Sequence, residues 1–421
     1  LKKAAENKAS MGNTKRELWK FPWGYAESYI IAVALLTAGF LIEAATKGRG
    51  VIKLQWPYNL LTGLSFAVIL LLLRGLFRKH SLVKWFSSIP ACISAISLFS
   101  VLALLLGIIP QNGSGPGFIN GQVLKNISRS WPFLLSQVYL LTTLGLVILK
   151  RTLPFKVKNI GFLLNHAGLW IIITSALLGS GDLKRLRMAL KEGGDPVQVA
   201  LGEDLRLYMI PFSLKLVDFN IEEYDPKISI YNIETGEYSA GEKATDNTVE
   251  KGLKADILKW NITISEFHRS AGLTGNAYEP SSLRGSAPAA LINAVNRTTR
   301  DTVSGWITCG SYTIPFRNLK LDSIYTLVMQ PPEARKFSSM LEIHKNEINT
   351  DTIRIEVNNP FTLQGWKIYQ AGFNDKMGKW SDISIIELVR DPWLPVVYSG
   401  ILMLLSGAVY IFWTGRKIRN K

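Results

Sequence analysis

The chain has 421 residues, 48% hydrophobic and 19% charged, with a formal net charge of +16 and two cysteines. Residues 181–392 hold 25 Lys or Arg against 28 Asp or Glu, a net −3, whereas the remainder holds 23 against 4, a net +19. The positive charge therefore flanks apolar stretches instead of forming a basic face, which is the pattern of membrane topology and argues against nucleic acid as a partner. Cys92 lies in an apolar stretch and Cys309 in the water-compatible region, so no disulfide is expected between them, and no C-x-x-C is present.

Residues 1–25 read as a basic tail without an apolar core of its own, expected in the cytoplasm and not a cleavable leader. Six stretches then reach the roughly 20 apolar residues that a bilayer-spanning helix needs. They are 26–45, 58–77, 89–109, 132–149, 160–179 and 393–414, so that 26–180 forms a region of five membrane helices and 393–414 a final one. Glu27, Glu43 and Arg74 soften the edges of the first two. Basic residues concentrate in the tail, around Arg78 to Lys84, in Lys150 to Lys158 and in the closing tail at 415–421. That bias predicts both termini in the cytoplasm and residues 181–392 outside it.

The 181–392 region reads as strands at 212–219, 227–233, 261–267, 310–316, 323–329, 352–357, 365–373 and 383–389. Turn chemistry separates them, as in Glu234-Thr235-Gly236-Glu237 and Asn358-Asn359-Pro360. Leu183 to Leu190 (LKRLRMAL) fits either a short amphipathic helix on the membrane face or a solvated connector. The predicted class is an α+β membrane protein: about six transmembrane helices, with a large extracytoplasmic all-β domain, sandwich or barrel-like, between the fifth and sixth.

Chemistry-bearing residues are sparse. No phosphate-binding glycine loop, H-E-x-x-H or G-x-S-x-G occurs, and the run Gly113-Ser114-Gly115-Pro116-Gly117 reads as a flexible connection. His166 sits within the fifth membrane stretch, where an ionisable side chain is expensive and hence a functional candidate. It lies about 12 Å in from Lys158. A neutral imidazole there could ligate an iron centre, and the plainer reading is an interhelical hydrogen bond involving Asn165. Arg151, Lys156 and Lys158 could neutralise acidic groups of a ligand, and topology alone explains them equally well. His80 reads as an interfacial residue, His268 and His344 as surface ones, and Cys309 as a small buried hydrophobe.

The segment GFLLNHAGLWIIITSALLGSGDLKRLRMAL (161–190) resembles the ResB, or CcsB, family of cytochrome c biogenesis proteins. So do PFSLKLVDFNIEEYDPK (211–227), GWKIYQAGFND (365–375) and the passage from Ser384 into the final helix. The resemblance covers about residues 155–421 and implies a role in System II haem delivery. There a ResB-like chain and a CcsA-like membrane partner bring haem to the outer face and attach it to apocytochrome c. It implies haem shared with that partner as cofactor, His166 as candidate axial ligand of its iron, and an accessory rather than catalytic part in attachment. Family members commonly have four membrane helices, so the first four here lie outside the resemblance. The alternative is a membrane-anchored sensor or scaffold whose β domain binds a partner and which holds no haem.

Overall fold

The computed structural model describes residues 18–111, 124–239, 248–344 and 350–419. The glycine-rich run at 113–117 falls outside them. The chain divides into two compact units, one made of residues 1–183 and 391–421 and the other of 184–390.

The first unit is helical. Its elements are α1 (Tyr25–Ala45), α2 (Tyr58–Leu76), the short α3 (Ser81–Phe86), α4 (Ile89–Ile108), α5 (Trp131–Thr152), α6 (Ile160–Gly179) and α7 (Leu394–Arg419). Six of them, all but α3, are long and apolar enough to cross a membrane, which makes the chain an integral membrane protein. Two helices start with the same device. Ser88 ahead of Pro90 and Ser130 ahead of Pro132 turn their hydroxyls onto the amides of Ala91 and Phe133, satisfying N–H groups that no helix can satisfy itself.

The carboxylates that blurred the first span are caps rather than interruptions. Glu27 is buried and accepts from the Gly24 amide at 2.8 Å. Glu43, also buried, accepts from Gly50 at 3.1 Å and from Trp131 at 2.8 Å, so the end of α1 fastens the start of α5. Asp182 does the same just past the end of α6. It accepts from the Trp56 amide at 2.8 Å, Asn59 Nδ2 at 2.7 Å and Trp393 Nε1 at 2.7 Å, tying the beginnings of α2 and α7 to the end of α6. Removing an ionised acceptor leaves such donors unmet. Asp182→Ala is therefore expected to destabilise the helical unit by about 1–3 kcal/mol, read as a drop in apparent Tm in detergent, with Asp182→Asn intermediate. An unchanged Tm for the alanine variant would show the three contacts to be dispensable.

The second unit is all antiparallel β. An eight-stranded sheet runs in the order 350–356, 334–344, 207–223, 197–202, 184–191, 383–390, 366–373 and 361–363. It curls until 350–356 returns against 366–373, enclosing Phe212, Leu214, Leu341, Ile343, Ile368 and Leu388. A five-stranded sheet centred on 260–274 and 287–296 faces a four-stranded sheet centred on 227–232 and 325–330. Trp260, Ile262, Ile292, Ile230 and Leu327 fill the space between. The expected alternatives, barrel-like and sandwich, are thus both present as halves of one domain.

Two local expectations fail. Residues 184–191 form a strand, with Leu186, Met188 and Leu190 buried on one face and paired against 383–390, not a surface helix or connector. Residues 310–316 form a loop rather than a strand. Gly310 takes φ 72°, and the hydroxyls of Ser311 and Thr313 bond the Gly285 carbonyl, which diverts this backbone from a ladder.

Candidate functional site

Helix α6 presents two faces. Gly161 and Gly168 stand seven residues apart, as do Gly400 and Gly407 on α7. A Cβ on Gly168 would lie 2.5 Å from the Gly400 carbonyl oxygen and 2.6 Å from the Leu404 nitrogen, and one on Gly407 would lie 2.4 Å from the Asn165 nitrogen. The two helices therefore touch backbone to backbone, the small-residue crossing usual where no water drives association. Asn165 faces this contact and donates to the Leu404 carbonyl at 3.3 Å. The interhelical hydrogen bond considered for His166 is thus made by its neighbour.

The opposite face carries Phe162, His166, Trp170 and Thr174, four residues apart and so stacked along one ridge. His166 Nδ1 lies 2.9 Å from the Phe162 carbonyl oxygen. That oxygen can only accept, so Nδ1 carries a proton, and in the neutral ring Nε2 presents the lone pair. The imidazole stacks on the Phe162 ring with centroids 3.7 Å apart and 24° between planes. The Arg151 guanidinium stands over the same ring at 5.3 Å. One turn further along, Trp170 donates to the Leu141 carbonyl at 3.1 Å and lies parallel to Phe66 at 6.4 Å.

This is a half-buried imidazole whose Nδ1 is engaged by a backbone carbonyl, and no partner for Nε2 occurs among the described residues. A ligating histidine is held in the same way, with its second nitrogen engaged. The donor set therefore fits one axial ligand to a haem iron, with Arg151 close enough in the fold to meet an acidic substituent. The residue at 166 stood out in the sequence. Its supports did not, although the four-residue spacing of Phe162, His166 and Trp170 was the available signal.

The other histidines have ordinary partners. His80 caps α3, its Nδ1 accepting from the Leu82 amide at 3.3 Å. His268 stacks on Trp306 and lies 3.8 Å from Glu266, and His344 lies 3.8 Å from Glu342. Glu347, the other carboxylate near His344 in sequence, is outside the described residues. Among the described residues no three His, Cys, Asp or Glu side chains gather to hold an ion unaided.

The β domain contains a cavity of about 400 Å³ bordered by Glu223, Cys309, Tyr312, Met377, Lys379 and Trp380. Burial pushes the Cys309 thiol up to about 11. Burial likewise raises the Glu223 carboxyl, an effect that Lys379, 3.8 Å away, partly opposes. The thiolate is the reactive form, so Cys309 is expected to alkylate about 100-fold more slowly than a free thiol at pH 8 in a Cys92→Ser background. Labelling at the free-thiol rate would mean that the cavity is open to reagent and the thiol unburied.

Residues 310–386 match the model of the ResB-like family. The match lies wholly within the β domain, begins immediately after Cys309, supplies most of the cavity wall and includes the stretch 365–375. No curated protein matches the chain.

Proposed function

We propose that this chain is the ResB-like membrane subunit of a System II cytochrome c biogenesis complex, receiving haem at His166 and presenting it with a CcsA-like partner for attachment to apocytochrome c. The observation that carries this reading is the ResB-like match at residues 310–386. The geometry at His166 is compatible with it, since the Phe162 carbonyl engages Nδ1 and leaves Nε2, the nitrogen that iron would need, without a partner among the described residues.

In this reading the bacterial inner membrane is crossed six times, both termini are cytoplasmic and the β domain stands outside. His166 supplies one axial ligand and the partner the other, and the haem is shared between the chains. Haem is made inside and used outside, is apolar, and carries two acidic propionates, so a ligand within the bilayer with Arg151, Lys156 and Lys158 near one edge suits its transfer. Thioether formation is chemistry of haem and apocytochrome, and the chain's part is orientation.

The test is the visible absorption spectrum of the purified chain, alone and co-expressed with a CcsA-like protein. Haem bands in the complex are the expected result. Preparations devoid of haem in both forms would overturn the reading and leave the scaffold, whose β domain binds a partner without a cofactor.

A further inference from the structure

The helical unit contains a cavity of about 380 Å³, near the lower end of the roughly 300–1,000 Å³ usual for small-molecule sites. It lies between α2, α5 and α6 and is closed at one end by residues 51–54 and 128–130, which the Val51 amide joins to the Arg129 carbonyl at 2.6 Å. Phe66, Leu134, Leu141 and Leu177 give it an apolar body, and Val138 on its rim is exposed on the flank of α5. A ligand would therefore arrive from the bilayer.

Two polar side chains that line it make no hydrogen bond among the described residues. Gln137 is only 8% exposed, and its amide makes no hydrogen bond among the described residues. Thr174 Oγ1 is buried without a partner. Thr62, Thr142, Thr143, Thr152 and Ser175 in these helices return their hydroxyls to their own backbone. Thr174 does not. An unmade hydrogen bond in hydrocarbon is expensive, so the pair calls for a bonding partner from outside the chain. Gln137 is six residues into α5 from Trp131, and Thr174 is five residues before the end of α6 at Gly179. Both therefore lie about 8–9 Å from the closed end, at one depth.

We propose that this cavity binds a membrane quinone. A quinone head is an apolar ring with an acceptor oxygen on each of two opposite edges. The Gln137 amide N–H would donate to one of those oxygens and the Thr174 hydroxyl, turned into the cavity by a change of χ1, to the other, while Phe66 would offer an aromatic face and the isoprenoid tail would leave past Val138 into the bilayer. A phospholipid is the competing occupant, because Lys53 and Arg129 stand at the closed end and could meet a phosphate. Its acyl chain would then lie against Gln137 and Thr174 and leave both unpaired, whereas a quinone satisfies them. The proposal does not rest on haem binding at His166.

Decylubiquinone binding to the full chain in detergent tests this, with native mass spectrometry reporting stoichiometry and retained lipid. One quinone per chain is expected, bound saturably. The double variant Gln137→Leu/Thr174→Val should weaken it tenfold or more, while Lys53→Ala/Arg129→Ala should leave it unchanged. Both replacements in the first variant remove unpaired polar groups from an apolar site, so its apparent Tm should hold or rise. Thr174→Val alone should give a smaller loss, which serves if the double variant misfolds. Equal affinity in wild type and Gln137→Leu/Thr174→Val would overturn the proposal. So would a tightly held phospholipid that quinone cannot displace and that is lost in Lys53→Ala/Arg129→Ala.

Discussion

His166→Ala, purified in complex with a CcsA-like partner, is expected to retain at least tenfold less haem than wild type, or to hold it with a shifted Soret band. Altering even the groups that support a ligating histidine costs 10–100-fold in affinity, and removing the ligand itself should cost no less. The variant should fold. The imidazole faces away from the α6–α7 crossing, about 200° around the helix from Gly168, and among the described residues its hydrogen bond is to its own helix. Truncation therefore opens a space without unlocking a helix pair. Added imidazole could enter that space, so partial recovery of the wild-type spectrum would identify the lost group as a ligand rather than a packing element. Phe162→Ala should have a smaller effect, because the Phe162 carbonyl that fixes the tautomer remains. An unchanged spectrum in folded His166→Ala would return this histidine to a structural place while leaving the complex a haem carrier.

How much of the fold is legible in the sequence depends on the kind of signal each segment carries. The membrane helices are plain because a run of about 20 apolar residues has few other meanings. Strands with branched residues at alternate positions, such as 261–267 and 383–389, are also plain. Residues 287–296 escape a sequence reading because APAALINAVN is rich in alanine, which favours helix in isolation and becomes strand only by pairing with 260–274. The stretch 183–190 satisfies two periods at once. Leu183, Leu186 and Leu190 fit a helical face, whereas Leu186, Met188 and Leu190 fit a strand face, and only the partner strand 383–390 decides between them.

The site is legible in the same uneven way. An ionisable residue in an apolar run announces itself, which singles out His166. Gln137 carries a similar, weaker signal as an amide within a span, but its lack of a partner is a property of three helices together. Glu43 and Asp182 look like blemishes at span edges because the N–H groups they serve are distant in sequence, the amides of Trp131 and Trp56 and the indole of Trp393. A carboxylate at the end of a membrane helix is thus ambiguous until its donors are known.

The glycines of α6 and α7 lead to a sharper expectation. Gly168→Ala should destabilise the helical unit by about 1–3 kcal/mol, and Gly168→Leu by more, because the added atoms meet backbone and not a movable side chain. The nearest obstacles, the Gly400 carbonyl at 2.5 Å and the Leu404 nitrogen at 2.6 Å, can be avoided only if the helices separate. Separation would lengthen the Asn165 to Leu404 hydrogen bond, already 3.3 Å, and loosen the packing of Ile171 and Ile172 on Gly400. Gly75 and Gly107 provide the control, being glycines near the ends of α2 and α4 with nothing within 4 Å of the Cβ that alanine would add. Alanine there should be neutral or stabilising by up to about 1 kcal/mol, since it removes glycine's conformational freedom without a clash. The measurement is apparent Tm in one detergent for all three alanine variants. A large drop for Gly168→Ala with none for the other two would establish the α6–α7 contact as the clamp that holds the His166 helix in place. Equal behaviour of the three would mean that the close approach contributes nothing, and that His166 is positioned by the α5 side of the ridge, through Trp170 and Arg151.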